Sequence, residues 1–148
     1  VITRLLLKII LKSLRGRSCD ILIDVDYMER WYLIPRNRFF NVYFHRFIGS
    51  DAPTPHDHPW VSMSYILQGQ YIEHTPKGEF IRKTGQVKFR AAKAFHWIEI
   101  DKPVLTLFIT GPRIRMWGFQ CSNGWVDFRK YIDRRGDNRL ASGCGEYE

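Results

Sequence analysis

Hydrophobic and polar positions change their period along the chain, and each change predicts a different kind of element. From Val1 to Gly16 apolar residues fill most of a 3.6-residue repeat, while Arg4, Lys8, Lys12 and Arg15 recur at helical spacing as one basic stripe. This predicts an amphipathic helix in a first segment at 1–18, with Gly16 as its stop. Its charges interrupt the apolar run well before the roughly 20 residues that a membrane span requires. No small-residue cleavage site follows, so neither a transmembrane segment nor a signal peptide is expected. A membrane surface or a partner's groove would accommodate such a helix, but packing on its own domain makes better use of the wide apolar face.

Between residues 20 and 110 the pattern turns to short apolar and aromatic runs separated by turn residues. Strands are predicted at 21–25, 39–47, 54–58, 61–67, 70–74, 80–83, 87–89, 95–100 and 104–110. Turns are predicted at 35–37, 49–51, 68–69, 76–78 and 101–103, and at Gly85. So many closely spaced strands with no helix between them indicate an all-β sandwich or barrel, here assigned to 19–134. In 111–119, period-2 alternation sets Arg113, Arg115 and Trp117 on one strand face and Ile114 and Met116 on the other. Apolar residues at helical spacing in 124–132 predict a short C-terminal helix. Segment 135–148, polar and aperiodic, reads as a flexible tail.

Composition narrows the functional classes. The 148 residues make one domain with enough length for a real core, and 45% hydrophobic with 15% aromatic residues excludes a disordered chain. A formal net charge of +8 raises the question of a polyanion partner. The basic residues are spread along the chain with no recognised reading motif, so specific nucleic-acid binding is not expected. Trp60, Trp97, Trp117 and Trp125 fit pocket walls and core at least as well as base stacking. Cys19, Cys121 and Cys144 form no disulfide framework or zinc-knuckle spacing; idle thiols and a reducing, cytoplasmic setting follow as the expectation.

The candidate chemistry lies in His56-Asp57-His58 and the later His96. Two histidines at i, i+2 on a strand project from one face while Asp57 points away, and a third imidazole from another strand would complete a facial set. Neutral imidazole nitrogen is a good ligand for Fe, Ni, Cu or Zn. Alternation also places Tyr71 and Glu73 on one face of their strand and His74 on the other, which makes Glu73 a candidate fourth ligand or general base, or else a solvated residue. His45 and His74 carry no motif support.

The run from Gly49 through His56, His58 and Gly69, with the later run from Gly85 through His96 to Ile100, resembles the two motifs of the cupin family over residues 49–100. The resemblance puts His56, His58 and His96 on the three metal-ligand histidines and Gly69 and Gly85 on turn glycines. Gly49 stands one residue early, Ala91 and Lys93 replace the second motif's Pro and Gly, and Ile100 replaces its Asn. The motif glutamate is absent; counted from His58 its place is taken by Ser62 or Met63, and the spacing to Gly69 favours Ser62. The resemblance therefore implies a jelly-roll barrel holding one divalent transition metal, iron first among Fe, Ni, Zn and Mn, through three neutral histidines. It is similar in this respect to the three-histidine thiol dioxygenases.

Such a centre keeps its full dipositive charge and favours a small anionic or chelating ligand. Tyr43, Trp60, Tyr71 and Trp97 are expected in the pocket wall, Arg113 or Arg115 as counter-charge, and Glu73 as base or extra ligand. Iron-dependent dioxygenation is the expected activity, and cupins commonly pair as homodimers through edge strands. Two other classes remain: a binding module without turnover, and a basic interaction protein of viral or mobile-element type that holds a nucleotide or protein partner.

Overall fold

A computed structural model describes residues 1–24, 26–132 and 143–145. The chain runs through α1 (Ile2–Ser13), β1 (Ile21–Ile23), β2 (Met28–Tyr32), β3 (Asn41–Phe47), β4 (Ser62–Gln68), β5 (Gln70–Thr75), β6 (Gly78–Lys83), β7 (Val87–Arg90), β8 (Trp97–Glu99), β9 (Val104–Thr110), β10 (Gly118–Cys121), β11 (Gly124–Asp127) and α2 (Phe128–Tyr131). A six-stranded sheet in the order β1-β2-β3-β9-β4-β7 faces a three-stranded sheet in the order β6-β5-β8. All their pairings are antiparallel. The strand spacing predicts a sandwich or barrel and the family resemblance implies a jelly roll; the structure is that all-β jelly-roll barrel, with an N-terminal helix and a short C-terminal one.

Alternation decides what each face touches. Along β9 every second residue is buried, from Val104 through Thr106 and Phe108 to Thr110. Val104 joins Met28, Phe47 and Ile66 of the large sheet and Tyr71 and Ile98 of the small one in a core that closes one end of the barrel. The intervening Leu105 and Leu107 point outwards, where they meet α1. There Leu6, Leu7, Ile10 and Leu14 pack against Phe44, Tyr65 and Leu67 as well. The helix has thus found its cover on the outer face of the large sheet. No helix among the described residues is long and apolar enough to cross a membrane.

Two glycines required by the turns behave as the spacing implies. Gly69, between β4 and β5, has φ +88°, and Gly85, between β6 and β7, has φ +89°. Both lie in the left-handed region that favours a residue without Cβ. At Gly69 a Cβ would also stand 3.1 Å from the Pro103 carbonyl oxygen.

Several elements differ from their sequence expectation. Residues 54–58 form no strand: His56 makes isolated bridges to His96 and Phe119, and the rest is loop with a bend at Thr54. Strand β2 was not anticipated, because charged Glu29 and Arg30 obscure its alternation, yet it pairs with β3 along its whole length. The stretch 111–117 is loop rather than strand, so Arg113 and Arg115 share no strand face. Pro112 offers no N–H to a ladder there. Residues 124–127 form a strand, β11, because β10 supplies a hairpin partner. Only Phe128–Tyr131 is helical, with the Asp127 side chain capping the Arg129 N–H.

Cys121 and Cys144 are joined by a disulfide with Cα atoms 5.5 Å apart, against the expectation of idle thiols. A separation of 23 residues gives no sequence signature of such a pair. Cys19 remains free. The premise for a reducing setting, three unpaired thiols, therefore falls. The bridge borders a third cluster formed by Phe119, Phe128 and Tyr131 with Met116 and Trp117. The expected flexible tail at 135–148 lies outside the described residues except for 143–145.

Candidate metal centre

Two segments bring His56, His58 and His96 together. Backbone hydrogen bonds run both ways between His56 and His96, at 3.0 and 3.1 Å, and the His58 N–H donates to the Ala92 carbonyl at 2.9 Å. The loop is thereby pinned to the start of β8. The three imidazole ring centres lie 5.0–5.2 Å apart, and one ligand nitrogen from each falls within 4.8 Å of the others. His58 Nε2 and His96 Nε2 are 2.9 Å apart. Two nitrogens each about 2.1 Å from an ion at right angles would be separated by about 3.0 Å, so this pair fits neighbouring positions on one transition metal.

Electrostatics keep His58 and His96 neutral. Burial holds His58 well below the usual imidazole range, and the neighbouring His56, His96, Arg90 and Arg30 push it further in the same direction. His96 is lowered to about 4, chiefly by burial, with Glu73 opposing the shift. Neutral imidazole is the ligating form.

Asp57, between the two histidines, does point away from them, and the structure shows what it does there. Its buried carboxylate accepts from the Gly118 N–H at 2.8 Å, from Arg115 at 2.5 Å and from Trp125 Nε1 at 3.3 Å. These three bonds hold the loop on the β10–β11 hairpin, through Gly118 and Trp125, and on the 111–117 loop that leads into it, through Arg115. Arg115 is therefore ion-paired to Asp57. Arg113 is exposed and donates to Met116 Sδ at 3.2 Å.

Glu73 is only 1% exposed, so it is not a solvated strand residue. Its carboxylate accepts from Arg90 at 2.7 Å and from Arg82 at 2.8 Å, and Oε1 stands 3.3 Å from His96 Nδ1, off the hydrogen-bonding direction. Burial alone would raise this carboxyl; the contacts with His96, Arg90 and Arg82 outweigh it and leave the group ionised. A carboxylate at Nδ1 favours the tautomer with its proton there, which leaves Nε2 free to bind metal. Arg90 also donates to Ser64 and to the Tyr71 hydroxyl, so one buried guanidinium ties β7 to β4 and β5.

The barrel wall nearby is polar and incompletely paired. Ser62 Oγ, Thr106 Oγ1, Thr110 Oγ1 and Trp60 Nε1 are buried without a hydrogen-bond partner. A groove of about 560 Å³ passes Phe40, Ser62, Phe89, Arg90 and Thr110 at one end of the large sheet. Of the expected wall aromatics, Tyr43 and Tyr71 are buried inside, while Trp97 is stacked on His74 at 3.7 Å, away from the three histidines. The sequence reading missed Arg90, whose burial at the end of β7 follows the same alternation as Lys88, and passed over His45, which shares a strand face with Tyr43 and Phe47.

No family model matches the sequence, and no curated protein matches it either. Solved structures do resemble it. KdgF from Halomonas sp. superposes with a TM-score of 0.54 at 16% identity, covering 64% of this chain and 87% of that one. Ectoine synthase from P. lautus gives 0.54 at 13% identity over 70% and 76%. A cupin superfamily protein from Desulfitobacterium hafniense gives 0.52 at 15% identity over 62% and 84%. At these identities the likeness concerns the fold. Two facing antiparallel sheets, turn glycines at 69 and 85 and three converging histidines in the barrel make this chain a cupin-fold protein.

Proposed function

We propose that this protein is a metal-dependent enzyme of the three-histidine cupin type, acting on a small anionic or chelating molecule, with iron-dependent dioxygenation as its reaction class. One observation supports this most: the ligand nitrogens of His56, His58 and His96 converge within 4.8 Å with no carboxylate among them. A divalent ion such as Fe²⁺ would be held there by the imidazoles of His56, His58 and His96 and would supply Lewis acidity and redox chemistry toward O₂.

The chain's own residues do the rest. Asp57 and Arg115 fix the loop that carries two ligands, and Glu73 orients His96 through Nδ1 as a positioning residue. Buried Ser62, in place of the motif glutamate, leaves the set neutral and offers an unpartnered hydroxyl instead. Arg113, exposed at the loop, is a rim charge available to an incoming anion.

Metal analysis of protein purified without a histidine tag, followed by nitric oxide binding to the iron-loaded form, tests the reading. Stoichiometric iron and the electron paramagnetic resonance signal of an iron–nitrosyl centre are expected. Failure to take up Fe, Ni, Zn or Mn would overturn the metal assignment. Uptake without any response to nitric oxide or anions would leave a binding module without turnover.

A further inference from the structure

The barrel uses only one half of α1. Leu6, Leu7, Ile10 and Leu14 pack on the large sheet, and the Thr3 hydroxyl meets that of Tyr65. The half turned outwards is not the polar surface that a water-facing helix presents. Ile2, Leu5 and Ile9, which lie on one line of the helix, form an apolar ridge that is 78, 59 and 56% exposed. Arg4, Lys8, Lys12 and Arg15 form a second ridge beside it, and all four are exposed.

Charge on this half has a single sign. Residues 1–19 contain five Lys or Arg and no Asp or Glu. Arg17 pairs with Asp20, whereas Arg4, Lys8, Lys12 and Arg15 have no carboxylate partner among the described residues. Arg4, Lys8 and Lys12 follow one another at i, i+4, where like charges repel. The outward half therefore carries two unfavourable features in water, an apolar ridge and an uncompensated row of cations. An anionic bilayer relieves both: apolar side chains enter the headgroup–acyl boundary while ammonium and guanidinium groups meet lipid phosphates. The long stems of Lys and Arg let their heads stay at phosphate level beside an inserted ridge. Lying on the sheet, the helix presents this half as a convex surface, which fits a plane without needing carboxylates at fixed places.

We propose that the outward half of α1 docks this protein on an anionic membrane surface, with Ile2, Leu5 and Ile9 inserted and Arg4, Lys8, Lys12 and Arg15 on lipid phosphates. The helix lies in the interface and does not cross it. Its inward half stays on the large sheet, so the barrel is carried to the membrane as one body. Nothing in this docking depends on the metal centre.

Flotation of the full chain with vesicles of phosphatidylcholine alone, and of phosphatidylcholine with about one third phosphatidylserine, tests this. Binding is expected on the anionic vesicles only, and it should fall steeply as salt rises. Leu5→Gln/Ile9→Gln and Lys8→Gln/Lys12→Gln should each weaken it about tenfold or more. Their melting temperatures should match wild type, because all four side chains are exposed. Lys77→Gln/Lys93→Gln removes the same charge from exposed positions outside α1 and should leave binding within about twofold of wild type. If Leu5→Gln/Ile9→Gln fails to fold, the two lysine pairs and the salt series decide. Failure of wild type to float with anionic vesicles, equal binding to neutral ones, or an equal loss in Lys77→Gln/Lys93→Gln would overturn the proposal. So would undiminished binding in both α1 variants. Binding of poly(U) RNA in place of vesicles, unaffected by Leu5→Gln/Ile9→Gln, would overturn it in favour of a polyanion site.

Discussion

Asp57 and Arg115 meet at 2.5 Å across 58 positions of sequence, and this contact aims the two histidines on either side of the aspartate. A residue whose side chain points away from the metal site thus controls it. Removing the carboxylate frees the loop from the Gly118 N–H and from Trp125 as well. Asp57→Ala should lower metal affinity about 10- to 100-fold, the usual scale for outer-shell partners. Equilibrium dialysis with Zn²⁺ or Co²⁺ checks this; unchanged affinity would show that the loop is held by its backbone bonds alone.

Each of His56→Ala, His58→Ala and His96→Ala should abolish stoichiometric metal while the far-ultraviolet circular dichroism of the barrel persists. The apolar core of Met28, Phe47, Ile66, Tyr71, Ile98 and Val104 contains none of the three residues. Retention of one metal equivalent in any single variant would exclude that histidine from the ligand set.

Glu73→Gln should destabilise the fold by about 3–5 kcal/mol, because it leaves the buried Arg90 without its counter-charge. Arg82, at the surface end of the same cluster, has 22% side-chain exposure. Water covers part of that loss, so Arg82→Gln should cost much less. Urea denaturation of both variants, free of metal, gives the comparison; equal losses would contradict the role of burial.

Metal-free protein should lose stability as the pH falls below about 6.5. Burial first, and Arg30 second, hold His45 well below the usual imidazole range, so it is neutral in the folded state. The unfolded chain takes up protons near pH 6.5 and the native one does not, so stability rises with pH across this window and drains away below it. The charged or titratable groups facing His45 are Arg30 and Tyr43; Phe47 and Phe108 complete its surroundings. Melting temperatures at pH 7.5 and 5.5 should differ less in His45→Gln, with some slope remaining from buried His58 and His96. An identical slope would assign the effect to other groups.

Alkylation of unfolded, unreduced protein should modify one thiol, Cys19, and reduction should raise the count to three. Cys121 borders the Phe119, Phe128 and Tyr131 cluster. Cys144→Ser should therefore lower the melting temperature of the oxidised protein and leave that of the reduced protein nearly unchanged. Three reactive thiols before reduction would refute the pairing.

Ile10→Ala should cost about 2–4 kcal/mol, the range for a truncated buried aliphatic side chain, since Ile10 is the buried anchor of α1 on the large sheet. Leu5, on the outward side of the same helix, is more than half exposed. Leu5→Ala should change stability little, and equal effects would argue against this docking.

What the sequence alone determined were the properties carried by local period and motif spacing. A short apolar run bounded by turn residues in 104–110 defined β9, turn chemistry placed Gly69 and Gly85, and the spacing of His56, His58 and His96 singled out the histidines that converge. Tertiary structure decided whatever depended on a distant partner. The helical spacing of Trp125 and Phe128 gave way to a hairpin because β10 offered hydrogen bonds that a short, isolated helix lacks. Glu73 became a buried member of an arginine cluster because β5 lies between β6 and β8 and close to Arg90. Cys121 met Cys144, and Asp57 met Arg115, by chain reversals that no local window contains. A side chain's own period tells which way it faces; what it meets there is set by which strand the fold places opposite, and that is a long-range property of the whole barrel.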